Sequence, residues 1–210
     1  MNALTNIVRP RLDPRRFALL FLFGAVVITV FDGFHTISGT TAYAGPYQAS
    51  RLAWWTPLLM GAGTAVGASM FVAMYRALGG SRQPPQWNVL ASALWCFGAM
   101  YFFSGFYHGP NTTKMAVLGV AGLAAFWWLD RTWQGAVCTL SCMLVGPLTE
   151  VLLVRAGTFV HLQPDLLGIP MWLPTLYLCA APVIGHGARR LLLPDREEAR
   201  ATASWQRVAD

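Results

Sequence analysis

Asp32, His35, His108 and Glu150 are the side chains in this chain best suited to do chemistry. Each lies inside or at the edge of an apolar run, where an ionisable group is costly and needs a partner or a wet cavity. Asp32 and His35 are three residues apart, so a helix places them on one face. Carboxylates and imidazoles gathered in this way are the donors of a metal site or the acid and base of an intramembrane enzyme. The opposing reading is that each pairs with a neighbour or with interfacial water. No HExxH, GxSxG or paired-carboxylate motif accompanies them. Between the two lies a protonated Glu150 that donates a hydrogen bond to a lipid head, on a helix bent by Pro147 one turn earlier. A second polar group, Asp130, Arg131, His186 and Arg189, falls at the opposite ends of its segments. The four cysteines, Cys96, Cys138, Cys142 and Cys179, sit in apolar runs without zinc-ligand spacing, and are expected to be small buried hydrophobes. Neither a metal nor any other cofactor is expected.

The elements that must hold these groups are membrane spans. Apolar types make up 55% of the 210 residues and charged types 11%, less than half the ~25% of an ordinary soluble domain. Mean hydropathy is +0.46. These values exclude a soluble enzyme, a disordered chain and a coiled coil. The net charge of +6 does not indicate a nucleic-acid partner, because the cations lie between apolar segments and Lys114 is the only lysine. A helix needs ~20 apolar residues to cross the hydrocarbon core. Six segments are candidates: 16–37, 54–78, 87–108, 114–129, 132–157 and 171–193, the fourth of them short and expected either to tilt into a thinner region or to start a few residues earlier. The fold class is therefore all-α, a polytopic membrane protein of six transmembrane helices. Residues 1–15 form an N-terminal segment, 16–193 the transmembrane domain and 194–210 a C-terminal tail. The sequence Ala42-Tyr43-Ala44 resembles a signal-peptide cleavage site, but it lies about a dozen residues beyond the apolar stretch, so the first helix is read as retained. With both termini cytosolic, only Arg51, Lys114 and Arg155 of the 15 cations fall outside, in keeping with the positive-inside rule. Gly63 and Gly67 form a GxxxG pair in the second helix, read as tight internal packing with self-association as the second reading. Pro174 and Pro182 suggest an irregular sixth helix.

Several landmarks recur in order. Trp54-Trp55-Thr56-Pro57 opens the second helix. Phe126-Trp127-Trp128-Leu129-Asp130-Arg131 closes the fourth, with Gly135 shortly after. Thr149-Glu150-Val151-Leu152-Leu153-Val154 with Gly157 ends the fifth. Pro164-Asp165-Leu166 precedes Trp172-Leu173-Pro174, and Gly185, Arg189 and Leu191 close the sixth. Over residues 51–192, about two thirds of the chain, their order and spacing resemble the Insig family, six-span sterol-responsive regulators of the endoplasmic reticulum. Three departures stand out. One residue rather than two separates Trp128 from Asp130, Glu150 stands where the family has Gln, and Thr132-Trp133-Gln134 replaces a charged loop.

The resemblance implies binding rather than catalysis: a sterol held between helices, and retention of membrane partners such as Scap and the sterol-synthesis reductase. The expected lipid contacts are Phe97, Met100, Tyr101, Trp127 and Glu150. Asp130, Arg131 and Arg189 are expected to form a partner-facing or structural polar cluster, since the family ties the Asp carried over as Asp130 to partner and sterol response. The Arg, Ala and Gly bias is that of a GC-rich bacterial genome. It favours a bacterial inner membrane and diacylglycerol as the neutral lipid, with the endoplasmic reticulum and an oxysterol as the eukaryotic counterpart. A homo-oligomer is a further expectation. The alternative function remains an intramembrane enzyme using the Asp/His/Glu group. A tryptophan-rich tetrapyrrole sensor is a third reading, suggested by nine Trp but set against the even number of spans.

Overall fold

The structure is a computed structural model that describes residues 13–44, 51–80 and 84–193. The proposed tail and most of the N-terminal segment lie outside these residues. Among the described residues six helices follow one another: α1 (Pro14–Ile37), α2 (Thr56–Ala77), α3 (Trp87–Phe106), α4 (Asn111–Leu129), α5 (Trp133–Arg155) and α6 (Leu173–Leu192). Asp13 caps α1 by accepting from the Arg15 N–H, and Pro14 follows at the first helical position, where its missing N–H costs nothing. Within α1, the stretch Gly24–Ile28 is π-helical. There the helix lies so close to α2 that a Cβ on Gly24 would stand 2.5 Å from the Met60 carbonyl oxygen.

Five helices, α1 to α5, are long and apolar enough to cross a membrane. The sixth is the axis of the bundle. Twelve of its residues are buried, from Leu173 to Arg189, and α2, α3, α4 and α5 pack around it. A helix enclosed by protein has no need of an all-round apolar surface. It can carry His186, Arg189 and two prolines because its neighbours, not lipid, surround them. Contrary to the expectation of irregularity, α6 is one continuous α-helix through Pro182. The main core joins Phe97 of α3, Leu118 of α4 and Trp172, Leu176 and Cys179 of the sixth segment.

Both ends of the described chain meet at one end of the bundle, where the Arg16 guanidinium donates to the carbonyls of Leu191 and Leu193 at 3.4 and 3.1 Å. That is the arrangement an even number of crossings requires. At the opposite end, β1 (Thr41–Tyr43) pairs antiparallel with β2 (Phe159–His161), with Thr41 opposite His161 and Tyr43 opposite Phe159. This short ribbon ties the α1–α2 connection to the α5–α6 connection. Strand alternation turns Thr41, Tyr43, Phe159 and His161 inward and Val160 outward. Trp87, Trp127, Trp128 and Trp133 are exposed together at the chain-terminal end, the place of an interfacial aromatic belt.

Gly63 and Gly67 do not mediate tight packing. A Cβ on either would meet nothing within 4 Å, and the close approaches between α1 and α2 fall instead at Gly24 and Gly61. Cys138 and Cys179 are buried, Cys96 and Cys142 half-buried, and all four are free thiols.

Candidate functional site

Two polar assemblies occupy the two ends of the bundle, as the positions of the ionisable residues require. At the ribbon end, each strand delivers one side chain to a buried acid. The Tyr43 hydroxyl of β1 donates to Asp32 of α1 at 2.7 Å. The His161 ring of β2 pairs with Glu150 of α5 through Nε2 at 2.9 Å. Glu150 also accepts from the Tyr177 hydroxyl of α6 at 2.8 Å. Gly146, one turn before Glu150, makes room for the Tyr177 ring: a Cβ there would lie 2.2 Å from it. Burial first, and then the Asp32 carboxylate, hold the Tyr43 hydroxyl above its ordinary pKa of 10.0, so it remains a donor at neutral pH.

A parallel chain joins α1, α3 and α4. The His35 Nε2 lies 2.8 Å from the Ser104 hydroxyl, which itself donates to the Tyr101 carbonyl at 2.9 Å, so the imidazole is the donor. The Ser104 carbonyl accepts from Lys114 Nζ at 2.7 Å. Tyr101 stacks on His35 with ring centroids 4.5 Å apart and meets Phe97 edge-on at 5.2 Å.

At the chain-terminal end, Arg189 is the hub. Its guanidinium donates to Tyr75 Oη at 2.9 Å, to His186 Nδ1 at 2.8 Å and to the Gly185 carbonyl at 3.2 Å, and lies 3.6 Å from Asp130. The side chains of Arg189 and Asp130 are 8% and 6% exposed. Asp130 also accepts from the Thr132 hydroxyl at 2.6 Å. Gly135 leaves room for that carboxylate, since a Cβ would stand 2.4 Å from Oδ2.

The structure divides the expected residues. Phe97, Met100 and Tyr101 pack in one cluster that also contains Tyr177, and Tyr177 holds Glu150, so four of the five expected lipid contacts share a neighbourhood. Trp127 stands apart, 67% exposed on the outside of α4. Asp130 and Arg189 do form a cluster, but Arg131 is not in it. Its backbone takes a left-handed conformation (φ 57°) that ends α4, and its side chain folds over the Trp127 ring and donates to the Trp127 carbonyl. Asp32, His35, His108 and Glu150 all lie toward the ribbon end, but they do not converge on one point. Asp32 goes to Tyr43, His35 to Ser104 and Glu150 to His161 and Tyr177, while His108 is exposed and faces the Phe106 and Ser38 carbonyls. No group of three His, Cys, Asp or Glu able to hold a metal occurs among the described residues.

Sequence reasoning missed His161, Tyr43, Tyr177 and Tyr75. A Tyr within an apolar helix is ordinary core material by type, and a three-residue strand gives almost no periodic signal. The available clue for His161 was position: a lone imidazole eleven residues after an in-span Glu, on the return from the same helix.

No protein-family profile matches the chain. The INSIG protein homolog of Mycolicibacterium vanbaalenii is 29% identical over 165 residues, 76% of this chain and 78% of that protein. Insulin-induced gene 1 protein of Danio rerio is 24% identical over 88% of this chain and 75% of its own length. Insulin-induced gene 2 protein of Xenopus tropicalis is 24% identical over 85% and 84%. The crystal structure of MvINS, the mycobacterial Insig homolog, superposes with a TM-score of 0.75 at 25% identity, covering 87% of this chain and 97% of that one. An Arg-to-Cys variant of the same protein has been crystallised as a cross-linked trimer. In sequence and in fold, this integral membrane protein is similar to Insig proteins of bacterial and vertebrate origin.

Proposed function

We propose that the chain is a non-catalytic lipid-sensing membrane protein. Its bundle binds one neutral lipid, diacylglycerol-like or oxysterol-like, and the bound state is passed to a membrane-protein partner through the transmembrane helices. The observation that carries this reading is the union of an aromatic cluster and an acid. Phe97, Met100, Tyr101 and Tyr177 form an apolar bed, and Glu150, with 18% of its side chain still exposed, stands at its polar end. Such a bed receives rings or acyl chains, and a carboxyl group at its edge orients a hydroxyl. Tyr177 and His161 fix the rotamer of Glu150, so the orienting group is held before a ligand arrives.

In the present packing the aromatic side chains fill the cluster, and a ligand has to part the helices to enter. Binding then couples to a second arrangement of the bundle by differential affinity. Because α6 touches all five other helices, a shift of Tyr177 changes the faces that α4 and α5 present outward. The cross-linked trimer of the mycobacterial relative supports self-association here as well. A bacterial inner membrane, or the endoplasmic reticulum for a eukaryotic source, is the setting this reading implies.

Photoactivatable diacylglycerol and sterol probes test the proposal on the purified protein in mild detergent. Labelling is expected on the peptides carrying Phe97–Tyr101 and Tyr177, removed by excess unlabelled lipid and weakened in Glu150→Ala. Labelling confined to the exposed faces around Trp127, or unaffected by competitor, overturns it.

A further inference from the structure

Lys114 is a buried cation placed where two effects oppose it. It lies in the first turn of α4, at the positive end of the helix dipole, and is 3% exposed. Its ammonium donates to one carbonyl, that of Ser104, and sits 4.8 Å above the Trp172 ring. No carboxylate pairs with it among the described residues. An ammonium has three N–H groups, and burying one with so little compensation is expensive.

Lys114 lines a small cavity of about 20 Å³, room for roughly one water-sized group. His161 lines the same cavity. Its Nε2 is committed to Glu150, and its Nδ1, though buried, has no hydrogen-bond partner. The cavity shares His108, Asn111 and Gln163 with an open vestibule of about 650 Å³ at the ribbon end of the bundle. At the rim, His108 faces the Phe106 carbonyl at 2.7 Å and the Ser38 carbonyl at 3.2 Å with its two ring nitrogens. One acid lines the vestibule, Asp165, whose Oδ2 is occupied by the Asn111 side-chain amide and the Met171 N–H, both at 2.8 Å.

We infer that this vestibule is a second binding site, for an anionic phosphate group, with one anionic oxygen seated in the small cavity against Lys114 and His161. The phosphate belongs either to a lipid headgroup or to a free anion. The site adjoins the aromatic bed at His161, which also holds Glu150, but it is carried by different observations and does not depend on the neutral-lipid reading.

Native mass spectrometry of the full-length protein tests it, with phosphatidylglycerol, phosphatidylcholine and inorganic phosphate as probes. Phosphatidylglycerol is expected to bind in preference to phosphatidylcholine. Lys114→Met is expected to weaken it about tenfold or more, the loss of one charge-assisted hydrogen bond. Two exposed rim positions keep the test informative if that variant fails to fold. Asp165→Asn is expected to tighten binding and His108→Gln to weaken it, each several-fold. If inorganic phosphate competes, the source is any phosphate; if it does not, the site reads a lipid headgroup. Equal binding of the two phospholipids, with no response to the rim variants, overturns the inference.

Discussion

The Asp130–Arg189 pair offers the sharpest energetic prediction. The two groups lie 3.6 Å apart with side chains 6% and 8% exposed. At an effective dielectric of ~20, opposite charges at that distance attract by about 5 kcal/mol before desolvation is counted. Removing one partner of a buried pair costs roughly 3–5 kcal/mol, because it leaves the other charge uncompensated. The low end applies here, since Arg189 keeps three neutral acceptors in Tyr75, His186 and Gly185. Asp130→Ala is therefore expected to destabilise the bundle by about 3 kcal/mol, lowering Tm by roughly 6–12 °C for a chain of this size. Asp130→Asn, which retains the contact with Thr132, separates charge from shape. The assay is thermal and denaturant unfolding in detergent for Asp130→Ala, Arg189→Ala and the double variant. The double variant is expected to lose about 2 kcal/mol less than the sum of the singles. Additivity to within ~0.5 kcal/mol would refute the claim that the two charges support each other.

Four further substitutions probe local geometry by the same unfolding measurements. Arg131 holds a left-handed conformation that glycine adopts freely, so Arg131→Gly is expected to stabilise the protein by up to about 1 kcal/mol; a clear loss would show that the Trp127 contact outweighs the strain. Gly146→Ala drives a Cβ into the Tyr177 ring and is expected to cost about 1–3 kcal/mol while weakening lipid labelling near Glu150; wild-type stability and labelling would contradict the packing described. Gly63→Ala and Gly67→Ala meet open space, so each is expected to leave the fold intact and to raise stability by up to about 1 kcal/mol, and a large destabilisation would restore the tight-packing reading.

The bundle was legible because its outer helices face lipid. For α1 to α5 the apolar run itself marks the span, and the helices begin and end within a few residues of the expected bounds; α4, for instance, starts at Asn111 rather than Lys114. The polar layers were legible as depth, since counting residues along a helix places Asp32 and Glu150 at one end and Asp130 and Arg189 at the other. Rotation about the helix axis was not legible. Trp127 and Phe97 are both aromatic residues in apolar spans, yet one faces outward and the other is buried, and only tertiary packing decides which. The same holds for Gly63 and Gly61, two positions apart on α2, one open and one against Phe21. Partners across loops were hidden for a different reason. Tyr43 and His161 reach their acids through a ribbon three residues long, whose pairing depends on the bundle that brings its strands together.

The proposed lipid site is the aromatic bed with Glu150 at its polar end. Identification by mass spectrometry of what co-purifies after extraction in mild detergent tests it most directly. A neutral lipid near one per chain, diacylglycerol or a sterol, is expected, reduced in Glu150→Ala and Tyr177→Phe. A preparation that carries only bulk phospholipid, and takes up neither lipid when they are supplied, would contradict it.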